Sequence, residues 1–308
     1  MVNPADANIN IVSPEALDPN SWNGCIASCD HGTLFASMDY LSSMSEHWCG
    51  LVVGDYEAVL PLIYKRKWGV KYLAAPPFVK QLGLIGNWHP EQKTNILAAI
   101  HQFAAYGDVV FNFKNEPLCR GQHLEKNNYV INLNEDYDQI AGRYHKSLSK
   151  RLNRIQQEHQ LFFTKGNRLE VIDYYESFLG QKTDLNLKND FNRLRQFLQT
   201  ESGESGFEPY RVVNKAGKVL LHGIYAKDKN RVYKFMTFVT REGRTLNASA
   251  FALDYIIRQN VGTDKYFDFM GSSIAGVRNF IKSFGAVNQP YFLYHYNRRP
   301  WPFNLLKR

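Results

Sequence analysis

Residues 231–286 read RVYKFMTFVTREGRTLNASAFALDYIIRQNVGTDKYFDFMGSSIAGVRNFIKSFGA, and this stretch decides how the chain is read. Residues 231–239 form a strand pattern, and Arg241-Glu242-Gly243-Arg244-Thr245-Leu246-Asn247-Ala248-Ser249 opens a helix over 248–259 that Gly262 ends. Backbone N–H groups at a helix start point outward and, with the helix dipole, suit a pyrophosphate. Arg241 and Arg244 add charge, Ser249 is small, and Asn247 tolerates a positive φ. A plain helix cap beside a surface turn accounts for the same residues. Residues 266–269 form a second strand whose aromatic pattern buries Asp268. A buried carboxylate needs a partner, or its pKa rises toward the range useful to a base; the alternative is a structural acceptor. Gly271 allows a sharp turn, and Ser272 and Ser273 suit the cap of a short helix over 274–284. On that helix Arg278 and Lys282, four apart, share a face that either clamps an anion or lies in solvent.

Outward from this stretch, composition sets the class. The chain has 308 residues, 44% hydrophobic, 14% aromatic and 21% charged. That suits a globular protein with a sizeable core, and no apolar run reaches the roughly 20 residues of a membrane-spanning helix. Residues 1–12 lack the basic start and apolar centre of a signal peptide, and four cysteines make no disulfide framework, so a cytoplasmic location is expected. The charge is uneven. Residues 1–138 carry 9 Lys and Arg against 15 Asp and Glu, whereas residues 139–308 carry 28 against 14. A basic second half attracts a nucleotide-bearing cofactor, RNA or a phosphorylated acceptor, or is simply a soluble exterior.

The element order repeats. In the first half a helical pattern on Leu34, Met38, Leu41 and Met44 leads to a hairpin, 48–53 and 58–64, around Gly54-Asp55. Strands at 70–74 and 82–85 follow, then a helix with Ile96, Ala99, Ile100 and Phe103 inward, then strands at 109–113 and 128–133. In the second half an amphipathic helix over 138–159 precedes helices at 169–179 and 191–199. Strands at 210–214, 219–226 and 231–239 come next, and a last strand spans 291–296. On the linking helix Arg143, Lys146, Lys150, Arg151 and Arg154 form a basic stripe that tracks a phosphate backbone or faces water. The tail Arg298-Arg299-Pro300-Trp301-Pro302-Phe303 mixes cations and aromatics in a way that suits a membrane surface or another domain.

Several chemistries lack a foothold. Cys25-x-x-x-Cys29-x-His31 has the wrong spacing for a zinc knuckle, and Cys49 and Cys119 do not complete one, so no metal is expected. The phosphate-loop, serine-hydrolase and dinucleotide-binding glycine motifs are absent from the sequence.

The run from Asn247 through Phe267-Asp268-Phe269-Met270-Gly271-Ser272 to Phe280-Ile281-Lys282-Ser283-Phe284-Gly285-Ala286 resembles the FemAB-like branch of the GNAT acyltransferases. There an Asp-x-x-Gly-Ser-like turn precedes a helix with a Phe-Lys-x-x-Phe-Gly-like end. Leu60-Pro61-Leu62, Pro76-Pro77-Phe78 and Gln81-Leu82-Gly83 look like the N-terminal half of such proteins. The resemblance implies an α+β chain of two tandem GNAT-like units, each a mixed, mostly antiparallel sheet flanked by helices. Residues 1–138 would be the acidic acceptor side and 139–308 the basic donor side. It also implies N-acyl transfer from an acyl-CoA to an amine, the acceptor being a small molecule or a peptide. The Fem branch instead uses aminoacyl-tRNA to extend peptidoglycan precursors. The family's carrier loop, Arg/Gln-x-x-Gly-x-Gly/Ala, aligns with Arg244 to Ser249, where Asn247 stands for the first Gly and Ser249 for the second small residue. At the helix end Ile281 stands at the first basic position and Lys282 follows it.

Acyl transfer needs few side chains: donors to polarise the carbonyl oxygen, a base, and an acid for the leaving group. The candidates are Asp268 or His222 as base and Tyr291 or Tyr294 as acid. Arg241, Arg244, Asn247, Ala248, Ser249 and Lys282 would hold the acyl-CoA, with Gln81, Tyr64, Arg278 and Ser272 toward the acceptor in a cleft between the units. A lone histidine in a strand is more often a satisfied structural residue, which is the other reading of His222. Two rivals remain: the aminoacyl-tRNA-dependent transferase, and a binding protein on a degenerate scaffold, suggested by Asn247 and Ile281.

Overall fold

The computed structural model describes residues 8–119, 123–180, 187–271 and 274–302, so Ser272, Ser273 and Phe303 lie outside it. The chain forms two compact units. One comprises residues 1–126 with 290–308, the other residues 127–289.

Unit 1 begins with β1 (Ile9–Val12), α1 (Pro19–Ser28) and α2 (Met38–Met44). Asp18 caps α1 by accepting from the Ser21 N–H, and Pro19 occupies the first helical position, where its missing N–H costs nothing. The hairpin expected around Gly54 is β2 (Trp48–Val53) with β3 (Ala58–Lys67), in the register Trp48 to Ile63 through Val53 to Ala58. Gly50 is required where α1 crosses β2, because a Cβ there would stand 2.5 Å from the Trp22 ring. β4 (Val70–Leu73), the two-residue β5 (Ile85–Gly86), α3 (Lys93–Phe103), β6 (Tyr106–Phe111), α4 (Glu116–Cys119) and β7 (His123–Lys126) complete this stretch. α3 places Ile96 and Ile100 on a core that includes Leu60, Leu62 and Phe111.

Unit 2 runs through β8 (Tyr129–Asn132), α5 (Tyr137–Gly142), α6 (Lys146–Arg154), β9 (Phe162–Lys165), α7 (Arg168–Gly180), α8 (Lys188–Phe197) and α9 (Glu201–Gly206). β10 (Phe207–Val213), β11 (Val219–Lys227), β12 (Arg231–Val239), α10 (Arg241–Thr245), α11 (Ala248–Arg258), β13 (Tyr266–Asp268), α12 (Ala275–Lys282) and β14 (Val287–Asn288) follow. The helix expected over 138–159 is broken. α5 ends at Gly142, and the His145 N–H donates instead to the Ser283 carbonyl at 2.8 Å before α6 begins. α11 buries Ala248, Ala252, Leu253, Ile256 and Ile257 against Val232 and Phe267. The chain ends in β15 (Tyr291–Asn297).

The two sheets share one plan. Each has four antiparallel strands, a helical crossover and a parallel fifth strand: β1-β2-β3-β4 then β6 in unit 1, β9-β10-β11-β12 then β13 in unit 2. Each then accepts a strand from the other half of the sequence. β15 lies between β6 and β7, and β8 lies between β13 and β14. The repeats in sequence, ending at β8 and β15, therefore exchange their last strands, and the compact units are not the contiguous halves 1–138 and 139–308. The exchange also softens the charge asymmetry, to 13 Lys and Arg against 12 Asp and Glu in unit 1 and 24 against 17 in unit 2.

Because β15 is an interior strand of unit 1, with Phe292 buried at 4% exposure, Phe292→Ala is expected to cost about 3–5 kcal/mol in urea denaturation. A cost below about 1 kcal/mol would mean that β15 is an edge ornament.

Candidate active site

β12 and β13 touch over three residue pairs only, Arg231 with Tyr266, Val232 with Phe267 and Tyr233 with Asp268. Beyond Tyr233, β12 continues to Val239 paired with β11 alone. Met270 at φ 62° and Gly271 at φ 72° turn the chain away after β13. Two parallel strands that start together therefore part, and backbone groups along one edge of β12 lose their ladder partners. A bulge sits at the point of parting. Tyr233 faces Ala226 and Met236 faces Ile224, so Lys234 and Phe235 together oppose Tyr225. Such an extra residue bends a strand and re-aims a side chain.

At the far end of β12, Thr240 caps α10 by accepting from the Gly243 N–H at 3.0 Å. Asn247 adopts the left-handed conformation its sequence allows, φ 55° and ψ 35°, and leads into α11. Its carbonyl accepts from the Ala250 and Phe251 N–H groups, while those of Ala248 and Ser249 have no backbone acceptor among the described residues. Arg241 and Arg244 are exposed beside them.

Asp268 is 1% exposed. Its Oδ2 accepts from Arg231 Nη1 at 2.8 Å and Asn128 Nδ2 at 3.1 Å, and its Oδ1 from the Met270 N–H at 2.7 Å. Arg231 in turn donates from Nη2 to Gln289 Oε1 at 2.7 Å. The carboxylate thus ties β12, β13 and the segments beside β8 and β14, and it holds the turn at Met270 that opens the site. Both oxygens are engaged, so the geometry gives Asp268 a positioning task.

His222 on β11 is 3% exposed, with its ring stacked on Tyr174 of α7 at 4.3 Å and Nδ1 3.9 Å from Glu170 Oε1. Burial holds it below the usual histidine range; Glu170 opposes that shift and Arg211 adds to it. Tyr291, Tyr294, Gln81 and Tyr64 belong to unit 1. Tyr291 starts β15, where burial raises its phenol, and the Tyr294 hydroxyl bonds to His101 Nε2 at 2.9 Å. Gln81 has a left-handed backbone at φ 48°, and the Tyr64 ring packs on His47 and Phe103. Unit 2 therefore sets Asp268 beside the first residues of β12 and the Arg241–Ser249 turn beyond its other end, about 20 Å of strand away, and it holds His222 under α7.

Lys282 and Arg278 part company. Lys282 lines a hollow of about 530 Å³ with His145, Ser147, Arg151, Asn279 and Ser283, and Arg278 is outside it. Among the described residues no carboxylate lines this hollow. Elsewhere the basic stripe is partly neutralised, since Arg143 pairs with Glu135 and Arg154 with Glu158, each at 2.6 Å. The residue that pattern reading missed is Lys234. It is half-buried in the bulge, burial lowers its pKa, and it has no ion pair among the described residues. The signal was a lysine inside the apolar strand Val232-Tyr233-Lys234-Phe235-Met236. Among the described residues no cluster of three or more His, Cys, Asp or Glu is placed to hold a metal, and no helix is long and apolar enough to cross a membrane.

This architecture, two sheets of one plan in which the parallel strands of the second part beyond their first three pairs, is shared with several solved structures. FemX superposes with a TM-score of 0.65 at 10% identity, over 94% of this chain and 98% of its own. L-PGS from Bacillus licheniformis gives 0.57 at 12% identity, over 96% of each chain. The C-terminal domain of a putative lysylphosphatidylglycerol synthetase from Agrobacterium fabrum gives 0.54 at 11%, over 93% of each. At these identities the likeness is one of fold. As a sequence the chain matches no family model and no curated protein.

Two measurements check the assignments in unit 2. Asp268→Ala leaves the Arg231 guanidinium buried without its carboxylate and is expected to cost about 3–5 kcal/mol of stability by urea denaturation; a near-neutral effect would free Asp268 from its structural task. His222 is depressed in the folded state, so below its ordinary pKa of about 6.5 the unfolded chain binds a proton that the folded chain resists. Stability should fall as pH drops through and below that value, and His222→Gln should flatten the decline; an unchanged slope would remove His222 as its source.

Proposed function

We propose that the protein is an N-acyltransferase that moves an acyl group from an acyl-CoA to an amine. The observation that carries this is the parting of β12 and β13 at a bulge, which leaves an edge of β12 without a ladder partner on the strand that leads through α10 to the start of α11. A thioester laid along that edge receives backbone hydrogen bonds of the kind a lost strand would have made. The Ala248 and Ser249 N–H groups and the guanidinium groups of Arg241 and Arg244 supply what the pyrophosphate of coenzyme A requires. The amine nitrogen attacks the carbonyl carbon and gives up a proton, the C–S bond breaks, and the thiolate leaves and is protonated to the thiol. β12 N–H groups at the opening favour the oxyanion formed in between. Asp268 acts by holding the two strands and the Met270 turn in place. Lys234 follows Tyr233 at the point of parting, burial favours its neutral amine, and that amine is suited to take the proton that the nitrogen gives up as it attacks and to pass it to the leaving thiolate.

A second reading is favoured by one observation, the carboxylate-free hollow around His145, Arg151 and Lys282. A hollow of that charge suits the phosphates of an aminoacyl-tRNA donor.

Thermal-shift titration with acetyl-CoA, a longer acyl-CoA and charged tRNA separates the two. The first reading expects stabilisation by an acyl-CoA, about 2.7 kcal/mol at a hundredfold excess over Kd, reduced at least about tenfold in apparent affinity by Arg241→Glu with Arg244→Glu. A shift with tRNA alone, weakened by Arg151→Glu and by salt, would replace it with the second. No shift with any carrier would leave a binding protein on a transferase scaffold.

A further inference from the structure

The β3–β4 hairpin of unit 1 carries an arrangement that acyl transfer does not use. Residues 64–72 read Tyr-Lys-Arg-Lys-Trp-Gly-Val-Lys-Tyr, four cations without a carboxylate. Lys67 pairs with Val70 and Arg66 with Lys71, so Trp68 and Gly69 are the whole turn. Both have positive φ, 50° and 77°. A two-residue turn of this kind is most stable with Asn-Gly, and a bulky side chain in the left-handed region is strained. The tryptophan is nevertheless there, and it is 89% exposed, with Val70 beside it 48% exposed.

The charges behind the tip are equally uncompensated. Arg66 and Lys71 stand directly opposite each other, where like charges repel. None of Lys65, Arg66, Lys67 and Lys71 has a carboxylate partner among the described residues. Their nearest company is aromatic. Lys67 Nζ lies 4.9 Å from the Trp68 ring, and Lys71 Nζ lies 3.8 Å from that of Phe103. The same sheet extends the surface, since Tyr72 stacks on Tyr106 at 5.3 Å and Arg299 caps Tyr106 at 4.3 Å, close in sequence to Trp301, 78% exposed.

We propose that this hairpin is a peripheral membrane anchor that docks unit 1 on a bilayer bearing anionic headgroups. Indole rings settle at the headgroup level, and cations just behind them gain from the negative surface potential. The strain at Trp68 and the repulsion between Arg66 and Lys71 are then the cost of an insertion tip whose partner is outside the protein. A single-stranded nucleic acid fits less well. It stacks on aromatics within a basic groove, whereas here the apolar groups are outermost on a convex turn and the cations lie behind them. The inference does not depend on the carrier or the reaction proposed above.

The test is cosedimentation of the whole protein with vesicles of phosphatidylcholine alone or with about a third phosphatidylglycerol. Binding is expected to the anionic vesicles only and to weaken as salt rises. Trp68→Asn should raise the melting temperature, because Asn-Gly relieves the turn, while lowering vesicle affinity about tenfold. Lys65→Glu with Lys67→Glu should lower it at least about 25-fold, roughly fivefold for each cation lost. The acyl-CoA shift of Trp68→Asn should match that of the parent protein, which keeps this test apart from the one above. The proposal is overturned by equal binding to neutral vesicles, by undiminished binding of a stable Trp68→Asn protein, or by binding to single-stranded RNA with none to vesicles.

Discussion

The buried pair of Arg231 and Asp268 is the constraint on which the site depends. It clamps the start of β12 to the end of β13, and the same carboxylate takes the Met270 N–H and so fixes the turn that sends the chain away. Two strands joined at one end and released at the other leave an opening with unused backbone groups along it. An apolar pair could fill the same space at no loss of stability, because the desolvation of two charges nearly cancels their attraction. What such a pair could not do is hold a backbone N–H in a left-handed turn. The ion pair is thus better understood as a determinant of shape than as a source of stability.

The exchange of last strands bears on everything built around it. β8 closes the sheet that carries the opening, with Asn128, just before it, donating to Asp268, and Gln289, just after β14, accepts from Arg231. β15 returns to complete the sheet that carries the Trp68 hairpin. Neither repeat can complete its own sheet from its own sequence, since the interior position is filled from the other one. That makes the chain a single folding problem although it forms two compact units.

Local chemistry made some of this legible in advance. Asn247 suits a left-handed residue before a helix, and it is one. Asp268 in an aromatic strand was expected to be buried, with a partner or with a raised pKa, and it is buried with Arg231 as its partner. The hairpin at Gly54, the helix facing Ile96 and Ile100, and the strands from 207 to 239 follow from period and turn residues. Other features answer to no local signal. The helix over 138–159 breaks because a carbonyl at Ser283, far along the chain, takes the His145 N–H. β1, β7 and β9 are short, and pairing rather than propensity makes them strands. Lys234 was missed because only the register between β11 and β12 places it in a bulge.

The sequence by itself determined the repeated order of elements, the burial of Asp268 and the backbone of Asn247, because each rests on neighbours within a few residues. Only the tertiary structure decided which strands are exchanged, that Arg231 is the partner of Asp268, that Lys234 stands where β12 and β13 part, and that Tyr291 belongs to the other unit. Those depend on register between distant segments, and a register is set by the packing of whole faces, which no local run of residues contains.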